Sequence, residues 1–359
     1  LIQPKIVGDS VGMPPLPTLF LLYIGYKLGG VVGMIVAVPI GLIALTMYQE
    51  GALQTTKDSV KILTAGINHF RRLKPEDMDE VRQMQERDRM LSEELARQAA
   101  EEAGLSLDQI EWVGVGTPGI ANSATGIIEY SNNLGFCNTP MVQYLEEALG
   151  RPAFIENDAN AAAYGEYVAG AAKGAKHAVC ITLGTGVGGG IIIDGKIYCG
   201  SNFGGAEIGH TVIDVNGPMC SCGRKGCFEV FSSATGLIRM TKEALAAHPE
   251  SAMKDEERIT GRTAFNYMRA GDETAKQVVD DYIRYLAAGI TNTINIFQPD
   301  VLCIGGGVCN EGDPLLLPMK EIVKKEVYTR NSPKNTEIVI AKLGNDAGII
   351  GAAFLGNAK

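Results

Sequence analysis

Apolar and polar positions divide this chain of 359 residues into three stretches. In residues 1–52 the charged groups are Lys5, Asp9, Lys27 and Glu50. The segment LGGVVGMIVAVPIGLIALTM (28–47) runs for 20 positions without a charge, and LPTLFLLYIGYK (16–27) is apolar up to Lys27. Such a run matches the hydrocarbon thickness of a bilayer, and membrane helices tolerate Gly and Pro. Residues 16–47 are therefore expected to associate with a membrane; the alternative is a buried hairpin of a globular domain. The run is too long for a cleavable signal, and no small-residue cleavage site follows it. Residues 53–87 turn polar and read as a helical linker. DEVRQMQERDRMLSEELARQAAEEAGLS places apolar residues at helical spacing and stops at Gly104.

From residue 111 onward, strand and helix patterns alternate. EWVGVGTPG is an apolar β-branched run ending in a glycine turn, and PAFIEND is a short strand ending in polar groups. HAVCITLGTGVGGGIII predicts a strand, a glycine turn and a second strand, as in a hairpin. VLCIGGGV (301–308) predicts a buried strand running into another glycine turn. Helices are predicted at 141–149, 159–171, 236–247, 262–298 and 316–326. This mixture implies an α/β fold with ligands at the strand ends.

Composition narrows the partners. The chain carries a formal charge of −9 with 20% charged residues, which argues against nucleic acid, since phosphate backbones need clustered Lys and Arg. Three of the 8 cysteines, Cys220, Cys222 and Cys227, crowd into PMCSCGRKGCFE, with His210 ten residues upstream. Cys220 and Cys222 are too close in sequence to form an easy disulfide, and disulfide-dense domains are usually short and secreted. One imidazole and three thiolates make a tetrahedral donor set for structural zinc, which outweighs free thiols in a loop. Cys137, Cys180, Cys199, Cys303 and Cys309 lie mostly in apolar or glycine-rich runs and read as small buried hydrophobes.

Two kinds of residue suggest anion and polyol chemistry. GTGVGGG (184–190) holds more glycine than a hairpin needs, so its backbone N–H groups could cradle phosphate; a tight hairpin is an equal alternative. It is neither a Walker loop nor a good dinucleotide fingerprint. In ENDANAAAYGE, Asp158 falls where a strand gives way to an Ala-rich helix. It is either the helix cap or a base that takes a proton from an attacking hydroxyl. Asn157, Glu207, His210 and Glu229 supply further fixed donors and acceptors for a sugar. If one His210 nitrogen binds the metal, the other could face the substrate.

Over about 88–359 the chain resembles the ROK family (repressors, open reading frames and sugar kinases), and within it the bacterial glucokinases. GVGTPG, NNLGF, ENDANAAAYGE, LGTGVGGGII, GGAEIGH, CSCGRKGCFE and CIGGGV carry the resemblance. It implies an actin-like ATPase, ribonuclease H-like fold of two lobes, with sugar in the cleft and MgATP above it. It also implies Asp158 as catalytic base and Asn133, Asn157, Glu207, His210 and Glu229 as sugar ligands. Gly184, Thr185 and Gly186 would face the ATP phosphates, Gly305, Gly306 and Gly307 would lie near the adenosine, and the family suggests a homodimer. Residues 1–85 resemble the C-terminal end of an autoinducer exporter-like permease.

One departure stands out. ROK kinases open with a strand and a phosphate loop of the form Asp-x-Gly-Gly-Thr, and no such stretch precedes residue 111. The expected fold therefore lacks its first strands and follows a hydrophobic helical segment, in the order 1–52, 53–87 and 88–359. The junction near 85–90 reads as a fusion or as two joined reading frames. The leading function is ATP-dependent phosphorylation of a hexose, most of all glucose, on the cytoplasmic side, using ATP, Mg2+ and structural Zn2+. The alternative is a catalytically impaired sugar-binding remnant. A repressor would need an N-terminal helix-turn-helix, where this chain has a hydrophobic span.

Overall fold

The computed structural model describes residues 100–358 apart from 132, 133 and 135, together with Met90, Glu94, Arg97 and Gln98. The predicted membrane segment and linker lie outside the described residues. Among the described residues no helix is long and apolar enough to cross a membrane. The helix expected to stop at Gly104 does so: Gly104 takes φ +66° and donates its N–H to the Glu101 carbonyl.

Three sheets follow. β1 (Val113–Thr117) leads into an antiparallel meander of β2 (Ile120–Asn122), β3 (Ile127–Ser131) and β4 (Phe136–Thr139). Helix α1 (Met141–Leu149) then returns the chain to β5 (Ala153–Asn157), which pairs parallel with β1 from Val113↔Ala153 to Thr117↔Asn157. Parallel neighbours need such a crossover. α1 buries Met141, Leu145 and Leu149, one stripe at four-residue spacing, against Ala121, Ile128 and Ile155. It ends at Gly150, φ +64°.

α2 (Asp158–Val168) carries the chain to the larger sheet. There β6 (Ala178–Leu183), β7 (Val187–Ile193) and β8 (Lys196–Ile197) form antiparallel neighbours, as the hairpin pattern predicts. A helical segment follows, with α3 (Phe228–Ser232), α4 (Ala234–Ala247), α5 (Thr263–Arg269) and α6 (Glu273–Phe297). β9 (Val301–Gly305) joins the other edge of β6 in parallel. α7 (Asp313–Glu326), β10 (Glu337–Ile340) and α8 (Ala347–Ala353) complete the chain. The five-stranded order is β10-β9-β6-β7-β8. The helix predicted over 262–298 is two helices. Gly271, at φ +91°, breaks it, and Asp272 caps α6 by accepting the Ala275 N–H.

This sheet is covered on both faces, which is why β6 reads as a continuous apolar run. Val179, Ile181 and Leu183 face Val279, Tyr282, Leu286 and Ile290 of α6. Ala178 and Cys180 face Ala163 and Tyr164 of α2. The glycines of β7 follow the same two-residue alternation. A Cβ on Gly188 would sit 3.6 Å from the Ala159 methyl, and one on Gly190 would sit 2.4 Å from the Ala163 methyl. A Cβ on Gly189 would sit 2.6 Å from the Ala206 carbonyl oxygen on the opposite face. Gly188–Gly190 therefore admit α2 on one side and the 206–208 segment on the other.

α8 then crosses α2 backbone to backbone. A Cβ on Gly351 would lie 1.7 Å from the Ala161 carbonyl oxygen, and one on Gly165 would lie 2.1 Å from that of Ala347. Beyond the crossing α8 reaches β1, where a Cβ on Gly114 would lie 1.7 Å from the Ala352 carbonyl oxygen. Gly351→Ala is thus expected to destabilise the protein by about 3 kcal/mol or more, because the overlapping atoms are backbone and cannot swing aside. Urea unfolding checks it, and a loss under about 1 kcal/mol would contradict this packing.

Asp300 locks β6 to β9. One carboxylate oxygen accepts the N–H groups of Lys176 and His177, and the other accepts Lys334 Nζ at 2.6 Å. The Lys334 ammonium, above all, holds the Asp300 carboxyl down at about 2. A carboxyl lowered on folding stabilises fully above its unfolded value and loses that contribution as pH falls through its folded value. Asp300→Asn is therefore expected to cost roughly 1 kcal/mol near pH 7, with the gap to the parent closing as pH drops from about 4 towards 2. Unfolding midpoints of both proteins across that range are the measurement.

Candidate active site

Glu207, His210 and Glu229 gather around the first residues of β7, and α2 lies on the same strand at Gly188. β5 ends at Asn157 and α2 begins at Asp158 without an intervening loop. The cap of α2 is Asn157, not Asp158. Its Oδ1 accepts the N–H groups of Ala159 and Asn160, and its Nδ2 donates to the Gly119 carbonyl. Asp158 is the first helical residue, exposed, with Oδ1 accepting the Ala159 N–H at 2.9 Å. A carboxylate here meets the positive end of the helix and stays open to a substrate.

Glu207 and His210 arrive on the segment that crosses Gly189. Ala206 holds φ +66°, an uncommon conformation for alanine, and delivers Glu207 as the residue before a 3-10 turn over Ile208–His210. A Cβ on Gly209 would lie 2.2 Å from the Val187 carbonyl oxygen, so this turn also rests on the start of β7. His210 faces two ways. Nδ1 lies 3.6 Å from Cys220 Sγ, and Nε2 lies 4.0 Å from a Glu207 carboxylate oxygen.

The donor atoms of His210, Cys220, Cys222 and Cys227 all lie within 4.8 Å of one another. Cys222 Sγ and Cys227 Sγ are 3.6 Å apart and unbridged. That spacing suits thiolates sharing one ion at a metal–sulfur distance of about 2.3 Å. Burial pushes the Cys227 thiol up to about 12, whereas the Arg224 N–H lowers the exposed Cys222 thiol. A buried thiol of that kind becomes a thiolate in company with a cation, so the donor set fits a metal. The loop holding it is anchored from below. Phe228 is fully buried with its ring over Gly289 of α6, Phe231 stacks on Tyr285 with centroids 4.0 Å apart, and Tyr282 donates to the Ser232 carbonyl.

Glu229 stands in the first turn of α3. Its Oε2 accepts the Val187 N–H at 3.1 Å and lies 2.4 Å from where a Gly186 Cβ would be. Its other oxygen faces Cys220 Sγ at 3.7 Å. A residue expected only at the sugar thus also supports the glycine turn. That turn, Gly184–Thr185–Gly186, is held by α4: Ala234 N–H donates to the Gly184 carbonyl and Thr185 accepts the Thr235 hydroxyl. The second turn, Gly305–Gly307, lies alongside. Gly305 pairs with Thr182, and a Cβ on Gly306, φ +91°, would lie 2.4 Å from the Leu183 carbonyl oxygen. Both turns therefore meet at the same end of parallel β6 and β9, the usual ligand edge of an α/β sheet. Asn133 lies outside the described residues.

Two site residues escape the sequence reading. Glu156 is buried, and its Oε1 accepts the Asn157 N–H and Asn160 Nδ2, bracing the strand-to-helix junction. Its Oε2 accepts the Cys199 thiol at 3.2 Å, and burial pushes that thiol up to about 12. Cys199 is therefore a half-buried donor rather than an inert hydrophobe, and Cys137 is exposed. The available signal was a glutamate inside an otherwise apolar strand, PAFIEND.

The comparisons with known proteins follow this geometry. Residues 74–359 match the ROK family, and residues 1–52 match the AI-2E family transporter. A glucokinase of Halalkalibacterium halodurans is 42% identical over 248 residues, covering 68% of this chain and 75% of the relative. A glucokinase of Thermotoga maritima is 37% identical over 254 residues, covering 69% and 80%. The crystal structure of a ROK family glucokinase from Streptomyces griseus in complex with glucose and AMPPNP superposes with a TM-score of 0.61 at 32% identity, covering 73% of this chain and 86% of that one. The actin-like α/β fold is thus the one expected, and the chain belongs to the ROK family.

Proposed function

We propose that this chain phosphorylates a hexose, most of all glucose, at the expense of ATP, with Asp158 as the base. The observation that carries it is convergence. Asp158, Glu207, His210, Glu229 and both glycine turns rest on the first residues of β7 or beside them. Phosphoryl transfer depends mainly on positioning and on charge stabilisation, and such a scaffold supplies both. Gly184–Gly186 would receive the ATP phosphates and Gly305–Gly307 the adenosine. Glu207, Glu229 and the Nε2 face of His210 would take sugar hydroxyls, with Asn157 and Asn133 beside them. The attacking sugar oxygen forms a bond to the γ-phosphorus as the bridge to the β-phosphate breaks. Its proton passes to the Asp158 carboxylate, and ADP leaves. Mg2+, arriving with the nucleotide phosphates, neutralises their charge when bound.

Zinc is the proposed occupant of the His210, Cys220, Cys222 and Cys227 set. His210 Nδ1, which faces Cys220 Sγ, would hold the ion and leave Nε2 to donate towards the sugar side, so the ion would orient a binding residue. Residues 16–47 are proposed as a membrane attachment, with the kinase part, 88–359, on the cytoplasmic side and assembled as a dimer. A second reading, sugar binding without turnover, rests on one observation. Among the described residues the sheet containing β1 consists of β1 and β5, with no Asp-x-Gly-Gly-Thr loop before it.

MgATP-dependent phosphorylation of glucose by the full chain separates the two readings. Turnover is expected, and Asp158→Asn is expected to lower kcat by about 100-fold or more with glucose affinity held within a few-fold. Glucose binding without turnover in the parent would select the second reading. Elemental analysis is expected to find one zinc per chain, lost in Cys227→Ser together with much of the glucose affinity. Full glucose affinity in zinc-free protein would remove the metal from the binding site's support.

A further inference from the structure

Glu166 is a carboxylate in the last turn of α2, only 2% exposed, that none of the chemistry above uses. A buried carboxylate is costly unless hydrogen bonds satisfy it. All its observed partners are main-chain N–H groups. Oε2 accepts Ala171 at 2.7 Å and Lys342 at 3.1 Å, and Oε1 accepts Leu343 at 2.7 Å. Gly170 makes room for it, since a Cβ there would lie 2.0 Å from Oε2. Lys342 and Leu343 sit between β10 and α8. The side chain therefore spans 176 positions of sequence to fasten the end of α2 to the entrance of α8.

That fastening lies at a particular place in the fold. Among the described residues, α2 is the covalent path from the β1–β5 sheet to the five-stranded sheet, and α8 is the element that returns to β1. The two helices cross with their backbones in contact, so neither can slide without the other. Asp158 opens the helix that Glu166 closes. A change of tilt at the Glu166 end moves Asp158 relative to Gly184–Gly186, because α2 lies on Gly188 and Gly190 between the two. Misplacement by about 1 Å costs a transfer reaction far more than it costs substrate binding.

We propose that Glu166 is a positioning residue: by fixing the crossing of α2 and α8 it sets where Asp158 stands against the glycine turn. The proposal rests on the kinase reading for its effect on turnover. Its structural half stands apart and is read by Trp112, the chain's single tryptophan, whose Nε1 donates to the Ala353 carbonyl at the end of α8.

The test uses the full-length chain and Glu166→Gln, which keeps the shape but turns an NH2 group towards backbone donors. In folded Glu166→Gln, kcat for glucose is expected to fall at least about tenfold, while glucose Kd stays within about threefold. Acrylamide quenching of Trp112 is expected to rise by about half or more, reporting a loosened α8. Unchanged kcat in the folded variant, or kcat and affinity falling together in step with lost folded protein, overturns the proposal. If Glu166→Gln does not fold, Gly170→Ala presses a methyl on the same carboxylate without removing charge. It is expected to give the same split, and parental kcat in Gly170→Ala overturns the proposal. A parent that phosphorylates no hexose sinks the kinase reading alone. The quenching comparison then decides whether Glu166 holds α8: no change overturns the clamp, and a rise upholds it.

Discussion

Where α2 crosses α8 there is no room for a side chain, and much of the fold follows from that. Gly165 and Gly351 let main chain meet main chain, and Gly114 continues the contact onto β1. Contact this close leaves the helices few alternative arrangements, because a packed interior yields in discrete steps rather than smoothly. The same economy governs β7, where Gly188 and Gly190 lower α2 onto the sheet and Gly189 lowers the 206–208 segment onto its other face. Asp158 and Glu207 therefore reach one edge of the sheet from opposite faces. Each stands on an element pressed flat against the strand, and neither hangs on a free loop.

The cysteine loop solves a different problem. Residues 211–227 contain little regular structure, and their main chain must be held by other means. Two anchors act from below and within. Phe228 and Phe231 bury aromatic surface against α6, and burying such a ring fully contributes roughly 1.5–3 kcal/mol. Above them, the donor atoms of His210, Cys220, Cys222 and Cys227 gather within 4.8 Å of one another, where a bound ion would draw the loop together. Between the two anchors lies Glu229, whose carboxylate faces Cys220 on one side and the Val187 N–H on the other. Support thus runs from the hydrophobic core, through α3, to the turn that faces the nucleotide on the proposed reading.

The larger sheet was legible in the sequence because its signals are local. The β6–β7 hairpin, the strand at 301–305, the cysteine cluster and the Asn157–Asp158 junction each sit in one continuous stretch. What stayed hidden depends on contacts distant in sequence. The close packing of α2 on glycines 188 and 190 is one such contact. The helix over 262–298 looked continuous because apolar spacing persists across Gly271, and only the backbone shows the break. The short strands β2 to β4 bury few side chains each and gave little periodicity. Glu166 looks like an ordinary surface acid, and Glu156 stands out only as a glutamate inside a short apolar strand. Their burial becomes plausible only once backbone N–H groups from other segments surround them. The helix cap fell to Asn157 rather than Asp158 for a related reason, since either residue type can cap a helix and only the backbone geometry assigns the position.

The missing leading loop bears unequally on the two halves of the proposed reaction. Both glycine turns, Asp158, Glu207, His210 and Glu229 are carried by the five-stranded sheet and the elements packed on it, and the five strands of that sheet all follow β1 in sequence. β1 and β5 add the Asn157 junction and, through α8, one side of the crossing. On the proposed reading, ground-state contacts to sugar and nucleotide would draw mainly on that sheet, whereas donors aimed at the phosphoryl group in flight would come from a loop ahead of β1. Interactions made only in the transition state govern kcat, and those made equally in the ground state govern binding. On the proposed reading, affinity would rest mainly on the five-stranded sheet, and turnover would need both Asp158, carried with that sheet, and whatever meets the phosphate from the other side.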